Sequence, residues 1–370
     1  MQARQAPVLV AAGGTGGHLF PAEALAAALA QRGIAVHLAT DRRAARYGEA
    51  LPDEAIHVLS SDTLRGRDPI ALARTAATLG IGLAQAWALI GRLKPAAVIG
   101  FGGYPTVPPV LAAVWRGVPT LIHDANAVIG RANRLLAPRV TAIATTFPDV
   151  FRGAPHLAEK ATLTGNPVRP AVVAAAAATP YPASDDRLRL LIFGGSQGAR
   201  IMADVVPVAV ERLDAGLRAR LAVVQQAREE DVERVRTAYR RISVAAEVAP
   251  FFSDLPARMA ASHLIVARSG ASTVAELSAI GRPAVLVPLP HALDQDQFAN
   301  AGVLARVGGA IRLPQEDFTP QRLAAEIAAL MAAPDELAAM AVAARSVGRL
   351  DAAEALADLV LKVAGIATNK

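Results

Sequence analysis

Val8-Leu9-Val10-Ala11-Ala12-Gly13-Gly14-Thr15-Gly16-Gly17-His18 decides the fold of this chain. An apolar run of strand character ends in four glycines, a threonine and a histidine. The Ala-rich segment 19–30 that follows reads as a helix. Strand, glycine turn and helix in succession aim unpaired backbone N–H groups and a helix N-terminus at an anion. Glycine lets that backbone approach a phosphate with no Cβ in the way. The device returns as Leu190-Leu191-Ile192-Phe193-Gly194-Gly195-Ser196-Gln197-Gly198-Ala199-Arg200. Two such units in one chain predict two nucleotide-fold domains.

Working outward, the first half alternates strand and helix patterns. Strands are expected at 7–11, 35–39, 56–59, 97–100, 120–122, 142–144 and 161–163, with helices between them. That alternation predicts α/β architecture, a parallel sheet with right-handed crossovers. Residues 171–187 read as a helix end and a linker, with Thr179-Pro180-Tyr181-Pro182 and Asp185-Asp186 in it. A second alternation follows at 188–193, 219–224, 242–248, 264–266, 284–287 and 310–313, and from Pro320 the chain is mostly Ala/Leu helix. The expected domains are 1–164 and 165–345, and the last helix, about 346–370, could pack back on either of them, with the first as the assigned choice.

Composition narrows the function classes. The chain has 370 residues, 53% of them hydrophobic, which is ample for two cores. It has no cysteine, which excludes disulfides, thiolate metal sites and thiol nucleophiles. No signal peptide is expected, because the first apolar run flows straight into the glycine turn. No uncharged apolar run reaches ~20 residues, so no membrane span is expected. Residues 1–164 carry 16 Lys/Arg against 10 Asp/Glu, whereas the remainder carries 22 of each. The basic excess therefore belongs to the first half, and it suits an anionic surface or a phosphorylated ligand. Nucleic acid fits poorly: aromatics make up only 4% of the chain, and no basic run exceeds two residues.

The first turn fails two familiar fingerprints. Gly14 and Gly16 suit G-x-G-x-x-G, but Leu19 stands where the third glycine belongs, although Asp41 could serve a ribose. No Gly-Lys-Ser/Thr follows, so it is not a Walker loop. His18 at the helix start is either a capping residue or a base beside a bound anion. A third glycine turn, Ile99-Gly100-Phe101-Gly102-Gly103-Tyr104-Pro105-Thr106, ends another strand. Next comes Leu121-Ile122-His123-Asp124-Ala125-Asn126, running on to Gly130, Asn133 and Arg134. Ligands of open α/β sheets bind beyond the carboxyl ends of the strands, so these loops should converge. His123 and Asp124 read either as loop caps or as site residues.

These motifs, with Thr164-Gly165-Asn166-Pro167-Val168-Arg169, the Gly194–Arg200 turn, Arg268-Ser269-Gly270-Ala271 through Glu276, and Gln297 with Asn300-Ala301, occur in one order along nearly the whole chain. In that order they resemble glycosyltransferase family 28, and within it the bacterial N-acetylglucosaminyltransferases of peptidoglycan synthesis. The resemblance implies a GT-B fold, two Rossmann-like domains with a cleft between them. It implies inverting transfer of GlcNAc from UDP-GlcNAc to the 4-hydroxyl of MurNAc in undecaprenyl-pyrophosphoryl-MurNAc-pentapeptide, converting lipid I to lipid II. A lipid-linked acceptor implies a peripheral enzyme on the cytoplasmic face of the inner membrane. Three positions depart from the family pattern: Asp124-Ala125 where Glu-Gln is usual, Asp296 where Gln or His is usual, and Phe252 where an aliphatic residue is usual.

Site residues follow from the resemblance and the local pattern together. His18 is the first choice of base and Asp124 the second, as base or as the group orienting the acceptor. Gly103, Tyr104 and His123 fall on the acceptor side. Thr15, Gly16, Gly17, Asn126, Arg169, Ser196, Phe252, Ala271, Ser272, Thr273, Glu276 and Gln297 fall on the nucleotide-sugar side. Ser196 and the helix dipole behind it suit a diphosphate. Glu276 suits the ribose hydroxyls, and Phe252 should offer backbone groups to uracil. Arg200 is either a phosphate ligand or a solvated helix residue. Asp294-Gln295-Asp296 looks like a metal-binding D-x-D, but helix dipoles can neutralise a leaving UDP, so no catalytic metal and no cofactor are expected. Seventeen residues without charge lie between Arg74 and Arg92; Leu72, Leu79, Leu83, Trp87 and Ile90 recur at helical spacing, and Trp115-Arg116 repeats the aromatic–basic theme. Such a face suits either anionic lipid or the domain core. The competing readings are another transferase of the same fold, a UDP-GlcNAc 2-epimerase-like enzyme, and a non-enzymatic nucleotide-sugar or nucleic-acid binding module.

Overall fold

The computed structural model describes residues 6–13, 16–42, 55–62, 68–151, 153–183, 187–195 and 198–367. The expected site residues Thr15 and Ser196 lie outside the described residues. The chain divides into two compact units, Met1–Arg169 with Leu350–Lys370, and Pro170–Arg349. The boundary thus falls five residues beyond the expected one, because Thr164 and Gly165 still bond back to Thr145 at the edge of the first sheet.

In the first unit the strands are β1 (Val8–Ala11), β2 (Val36–Thr40), β3 (Ile56–Val58), β4 (Ala97–Gly100), β5 (Thr120–Asp124), β6 (Ala142–Thr145) and β7 (Ala161–Leu163). The helices are α1 (Gly16–Gln31), α2 (Pro69–Leu93), α3 (Val107–Trp115), α4 (Arg131–Leu136) and α5 (Pro155–Ala158). All strands run parallel in the order β3-β2-β1-β4-β5-β6-β7. The order reverses between β1 and β4, the switch point at which open α/β sheets bind their ligands.

The second unit begins with α6 (Pro170–Ala178). Its strands are β8 (Leu188–Phe193), β9 (Leu221–Gln226), β10 (Ala245–Ala249), β11 (Leu264–Ala267), β12 (Ala284–Leu286) and β13 (Ala310–Arg312). They are parallel in the order β10-β9-β8-β11-β12-β13, so the switch point lies between β8 and β11. Around them lie α7 (Arg200–Arg212), α8 (Ala215–Ala219), α9 (Val232–Arg241), α10 (Leu255–Ala261), α11 (Ala271–Ile280), α12 (Asp296–Arg306), α13 (Pro320–Ala332) and α14 (Pro334–Ser346). The last helix, α15 (Ala352–Ala364), returns to the first unit. Its Leu356, Ala357, Val360 and Leu361 join the core under β1 and α1. Arg32 of α1 clasps Glu354 at 2.7 Å and Asp358 at 2.6 Å.

Buried Arg282 ties the start of the second unit to its body. Its guanidinium donates to the carbonyls of Thr179, Pro180, Ala260, Ile280 and Gly281. Five carbonyl acceptors compensate a charge taken out of water, although burial still lowers its pKa to about 10.

Helix α2 is the long apolar element of the first unit. Its segment Ala73–Leu93 is long and apolar enough to cross a membrane by length and composition, which the sequence reading did not expect. The fold uses it as a packed helix: Ala86, Leu89 and Ile90 are buried in the core and Leu83 packs against it. A Cβ added at Gly82 would stand 2.0 Å from the Ser60 carbonyl oxygen. On an exposed helix Gly→Ala stabilises by about 1 kcal/mol through helix propensity. Here the sign reverses: Gly82→Ala pushes α2 off the sheet and lowers the melting temperature. A thermal melt of this variant beside Gly80→Ala, where nothing stands within 4 Å of the added Cβ, measures the difference.

Candidate functional site

The crevice in the first unit is built by glycines. A Cβ on Gly13 would meet Pro105 Cβ at 2.9 Å, so the turn after β1 lies directly against the turn after β4. Gly102 and Gly103 hold φ of 89° and 74°, the left-handed region that side chains avoid. His18, in the first turn of α1, fills the space they leave. A Cβ on Gly102 would stand 3.2 Å from His18 Cε1 and 3.5 Å from Asn133 Nδ2. The glycines therefore let an imidazole lie on bare backbone, with Asn133 beside it.

His18 as a residue is half-buried, and its Nδ1 is fully enclosed. Desolvation lowers its pKa below the ordinary value of 6.5, opposed in part by the backbone of Phe101. The ring is thus neutral near pH 7, the state a general base requires. Gly16 is buried, whereas Gly17 is exposed at the helix start.

His123 and Asp124 are the last residues of β5 rather than loop residues, and both are buried, at 0% and 1% exposure. Two expectations change as a result. The His123 imidazole packs on the Phe101 ring, with centroids 5.3 Å apart, and its Nε2 lies 3.0 Å from the Gly165 carbonyl. It is enclosed between the Phe101 ring and the Gly165 carbonyl. The Asp124 carboxylate accepts from Asn126 N–H at 3.0 Å, Gly130 N–H at 2.9 Å and Asn133 Nδ2 at 3.0 Å. It folds the 125–130 loop and fixes Asn133, whose amide also donates to the His123 carbonyl at 2.9 Å. Three donors thus hold this carboxylate in place. Asn126 on the 125–130 loop and Tyr104 on the turn after β4 are half-buried.

Burial lowers the His123 pKa to about 4. The unfolded chain takes this proton near pH 6.5 and the folded chain only near pH 4, so the folded state binds fewer protons in between. Stability contributed by neutral His123 is present above pH 6.5 and is lost as pH falls toward 4. At ~1.4 kcal/mol per unit the loss is about 3 kcal/mol. Urea unfolding at a series of pH values should show this decline, and His123→Gln should flatten it.

Arg169, the last residue of the first unit, sets its guanidinium 4.6 Å over the Phe20 ring. Asn166, three residues earlier, is buried with neither side-chain polar atom hydrogen-bonded.

The second unit repeats the design at its own switch point. After β8, Gly194 N–H donates to Gln226 Oε1 at 3.1 Å, and Gly195 and Gly198 have positive φ. A Cβ on Gly194 would stand 2.1 Å from the backbone nitrogen of Ala199, so only glycine fits there. Arg200, at the start of α7, is an exposed side chain 3.8 Å from Asp204. After β11, Gly270 caps α11, whose first N–H groups belong to half-buried Ala271, Ser272 and Thr273. Glu276 is buried one turn further on.

Arg268 is a residue whose part the sequence did not disclose. It is buried and donates to the carbonyls of Val287 and Pro288 and to Gln315 Oε1. It thereby anchors the loop after β12. Ser269 Oγ donates to the Gln297 carbonyl at 2.8 Å, and Asn300 Nδ2 to the Ser269 carbonyl at 3.3 Å. Gln297 Oε1 accepts from Leu289 N–H at 3.0 Å, which orients its amide NH2. His291, Asp294 and Gln295 in this loop all have positive φ, a conformation costing about 1 kcal/mol or more each, held here by the surrounding bonds. Phe252 is buried beneath the Arg258 guanidinium at 4.4 Å, while Phe251 is 69% exposed. Among the described residues no cluster of three or more metal-ligating side chains occurs, and Asp294-Gln295-Asp296 is not part of one.

The apolar face expected between Arg74 and Arg92 is divided. Leu79 and Leu83 are half-buried and Ile90 points inward, whereas Ile81, Trp87 and Trp115 are exposed. The reason is helical phase: Leu83, Ala86 and Ile90 share the stripe that meets the core. Arg116 lies 4.1 Å over the Trp87 ring. Arg65 and Arg67 lie outside the described residues, as does the side chain of Leu72.

Comparison with known proteins places this architecture. Residues 8–145 match the glycosyltransferase family 28 N-terminal domain and residues 189–356 the family 28 C-terminal domain. A relative from Rhodopseudomonas palustris (strain BisB18) is 63% identical over 98% of this chain and 97% of its own. It is named UDP-N-acetylglucosamine--N-acetylmuramyl-(pentapeptide) pyrophosphoryl-undecaprenol N-acetylglucosamine transferase. A relative of the same name from Nitrobacter hamburgensis is 62% identical over 96% of this chain and 97% of its own. The crystal structure of Acinetobacter baumannii MurG superposes with a TM-score of 0.77 at 30% identity, covering 96% of this chain and 99% of that one. A UDP-GlcNAc 2-epimerase from Neisseria meningitidis shares the fold, with a TM-score of 0.69 at 15% identity over 96% of this chain and all of that one.

Proposed function

The chain belongs to glycosyltransferase family 28, and from that premise we propose that it transfers GlcNAc from UDP-GlcNAc to the MurNAc 4-hydroxyl of lipid I, forming lipid II with inversion. The observation that carries the substrate assignment is identity above 60% along nearly the full length to relatives bearing that name. The 2-epimerase likeness supports the fold alone.

In this reading the first unit carries the base and the second the leaving-group site. Neutral His18 takes the proton of the attacking hydroxyl. Asp124 acts through Asn126, Gly130 and Asn133 by holding the acceptor-side loop in shape. Gly16, Gly17, Gly103 and Tyr104 line the crevice. The N–H groups at the starts of α7 and α11, with Ser196 and Arg169, receive charge that grows on the UDP diphosphate. One such pre-placed donor is typically worth about 3 kcal/mol of barrier. Glu276 takes the ribose hydroxyls, the backbone at Phe252 the uracil edge, and the Gln297 amide the sugar. No metal is invoked.

The test is UDP release from UDP-GlcNAc, with and without a lipid I analogue, in EDTA. Acceptor-dependent release in EDTA supports the transferase and its independence of metal. Acceptor-independent turnover overturns it in favour of epimerase-type or hydrolytic chemistry.

The lipid-linked acceptor also calls for a membrane-facing surface. We assign it to Ile81, Trp87 and Trp115 with neighbouring Arg74, Arg92 and Arg116. Each exposed tryptophan is amphipathic, and each cation adds about 1 kcal/mol of attraction near an anionic leaflet. Trp87→Glu with Trp115→Glu should cut cosedimentation with phosphatidylglycerol vesicles by about tenfold or more. Turnover of a soluble acceptor analogue should be retained. Unchanged vesicle binding would remove the surface from this assignment.

A further inference from the structure

Strand β9 stands between β8 and β10, and its last residue, Gln226, reaches the loops that follow both neighbours. Its Oε1 accepts from Gly194 N–H at 3.1 Å, in the turn after β8. Its Nε2 donates to the Pro250 carbonyl at 3.1 Å, in the loop after β10. The partners dictate which end of the amide lies where. An N–H only donates and a carbonyl only accepts, so a flipped amide would lose both bonds. The preceding glutamine has a different task. Side chains alternate along a strand, and Gln225 turns to the core, where it donates to the Met202 carbonyl at 3.1 Å and accepts from Tyr239 Oη at 2.5 Å.

Both loops held by Gln226 belong to the nucleotide site proposed for this unit. Gly194 sets the diphosphate end. A Cβ there would stand 2.1 Å from the Ala199 nitrogen, and Ala199 caps α7, so the position of Gly194 fixes where that helix starts. Pro250 sets the uracil end. It lies two residues before Phe252, whose ring sits 4.4 Å beneath the Arg258 guanidinium. Arg258 is itself held by Glu247 and Asp254. Proline has no N–H to give, so its carbonyl is the polar handle by which the loop is held there. Gln226 is buried, which shields both of its bonds from competing water.

We propose that Gln226 is a positioning residue for the donor nucleotide: it couples the uracil end of the site to the diphosphate end and sets the span at which one UDP engages both. This role presupposes that the second unit binds the nucleotide as proposed. Without the amide, each loop still recognises its own part of the ligand, but the two are no longer held at a matching distance. A joined ligand then loses affinity that its separate parts keep, as a two-point binder does when the geometry between its sites drifts.

The probes are UDP, uridine and inorganic pyrophosphate, titrated calorimetrically into the full chain and into two variants. Gln226→Met keeps the length of the side chain and removes both bonds. Gln226→Asn keeps the amide but is one methylene too short to hold both loops, and it carries the test if the methionine variant does not fold. In each variant UDP should bind about tenfold or more weaker, with uridine and pyrophosphate each within about twofold of the wild type. UDP affinity unchanged in a folded variant overturns the proposal. A loss of equal size for uridine alone or for pyrophosphate alone also overturns it, because Gln226 would then shape one end of the site and couple nothing. A wild-type chain that binds no UDP overturns the nucleotide reading itself, a result distinct from the other two.

Discussion

Replacing His18 by alanine is expected to lower kcat by about 10²–10⁴-fold, the usual contribution of a positioned general base. UDP affinity, measured by calorimetry, should change less than about twofold, because His18 packs on Gly102 and Gly103 of the first unit and the leaving-group loops belong to the second. The pH dependence supplies a second reading of the same residue. Desolvation lowers its pKa, so the protonated, inactive form appears only below 6.5. The acid limb of kcat/KM should therefore fall below pH 6.5 and vanish in the alanine variant. Equal losses in kcat and in UDP affinity would make His18 a binding residue instead.

Asp124→Ala is expected to be as damaging to activity, by a different route. Removing the carboxylate takes the acceptor from two half-buried backbone N–H groups and leaves the buried Asn133 amide only its bond to the His123 carbonyl. Each unpaired donor costs about 1–3 kcal/mol, so the variant should lose about 3 kcal/mol or more of stability and its ordered loop. Asp124→Glu adds one methylene in a carboxylate already bonded at both oxygens, and it should keep most of the stability. The decisive comparison is the acid limb of the surviving activity. If Asp124 positions and His18 accepts the proton, the limb stays where it was in both variants. A limb that moves or disappears with Asp124 would make the carboxylate the base.

The sequence by itself determined the architecture. Strand-length apolar runs closed by glycines admit few outcomes, and Gly13, Gly102 and Gly194 marked the loops correctly because a close approach or a left-handed backbone there leaves no room for a side chain. Periodicity also located β1 through β13 to within a few residues, since buried parallel strands read as short continuous apolar runs.

What sequence could not decide was which end of a side chain is used. His123 and Asp124 read as loop residues because strand ends are set by pairing, here Asp124 opposite Thr145, and not by local propensity. Once β5 extends that far, both side chains are buried. One becomes a neutral wall and the other the clasp of its loop. Nothing in the sequence places Arg268 or Arg282 in the interior, yet their partners are carbonyls brought in from 19 and from 103 residues away. Helical phase divided the apolar stripe of α2 between core and solvent in the same way. Each of these outcomes depends on what packs against the residue, and that is settled only when distant segments meet.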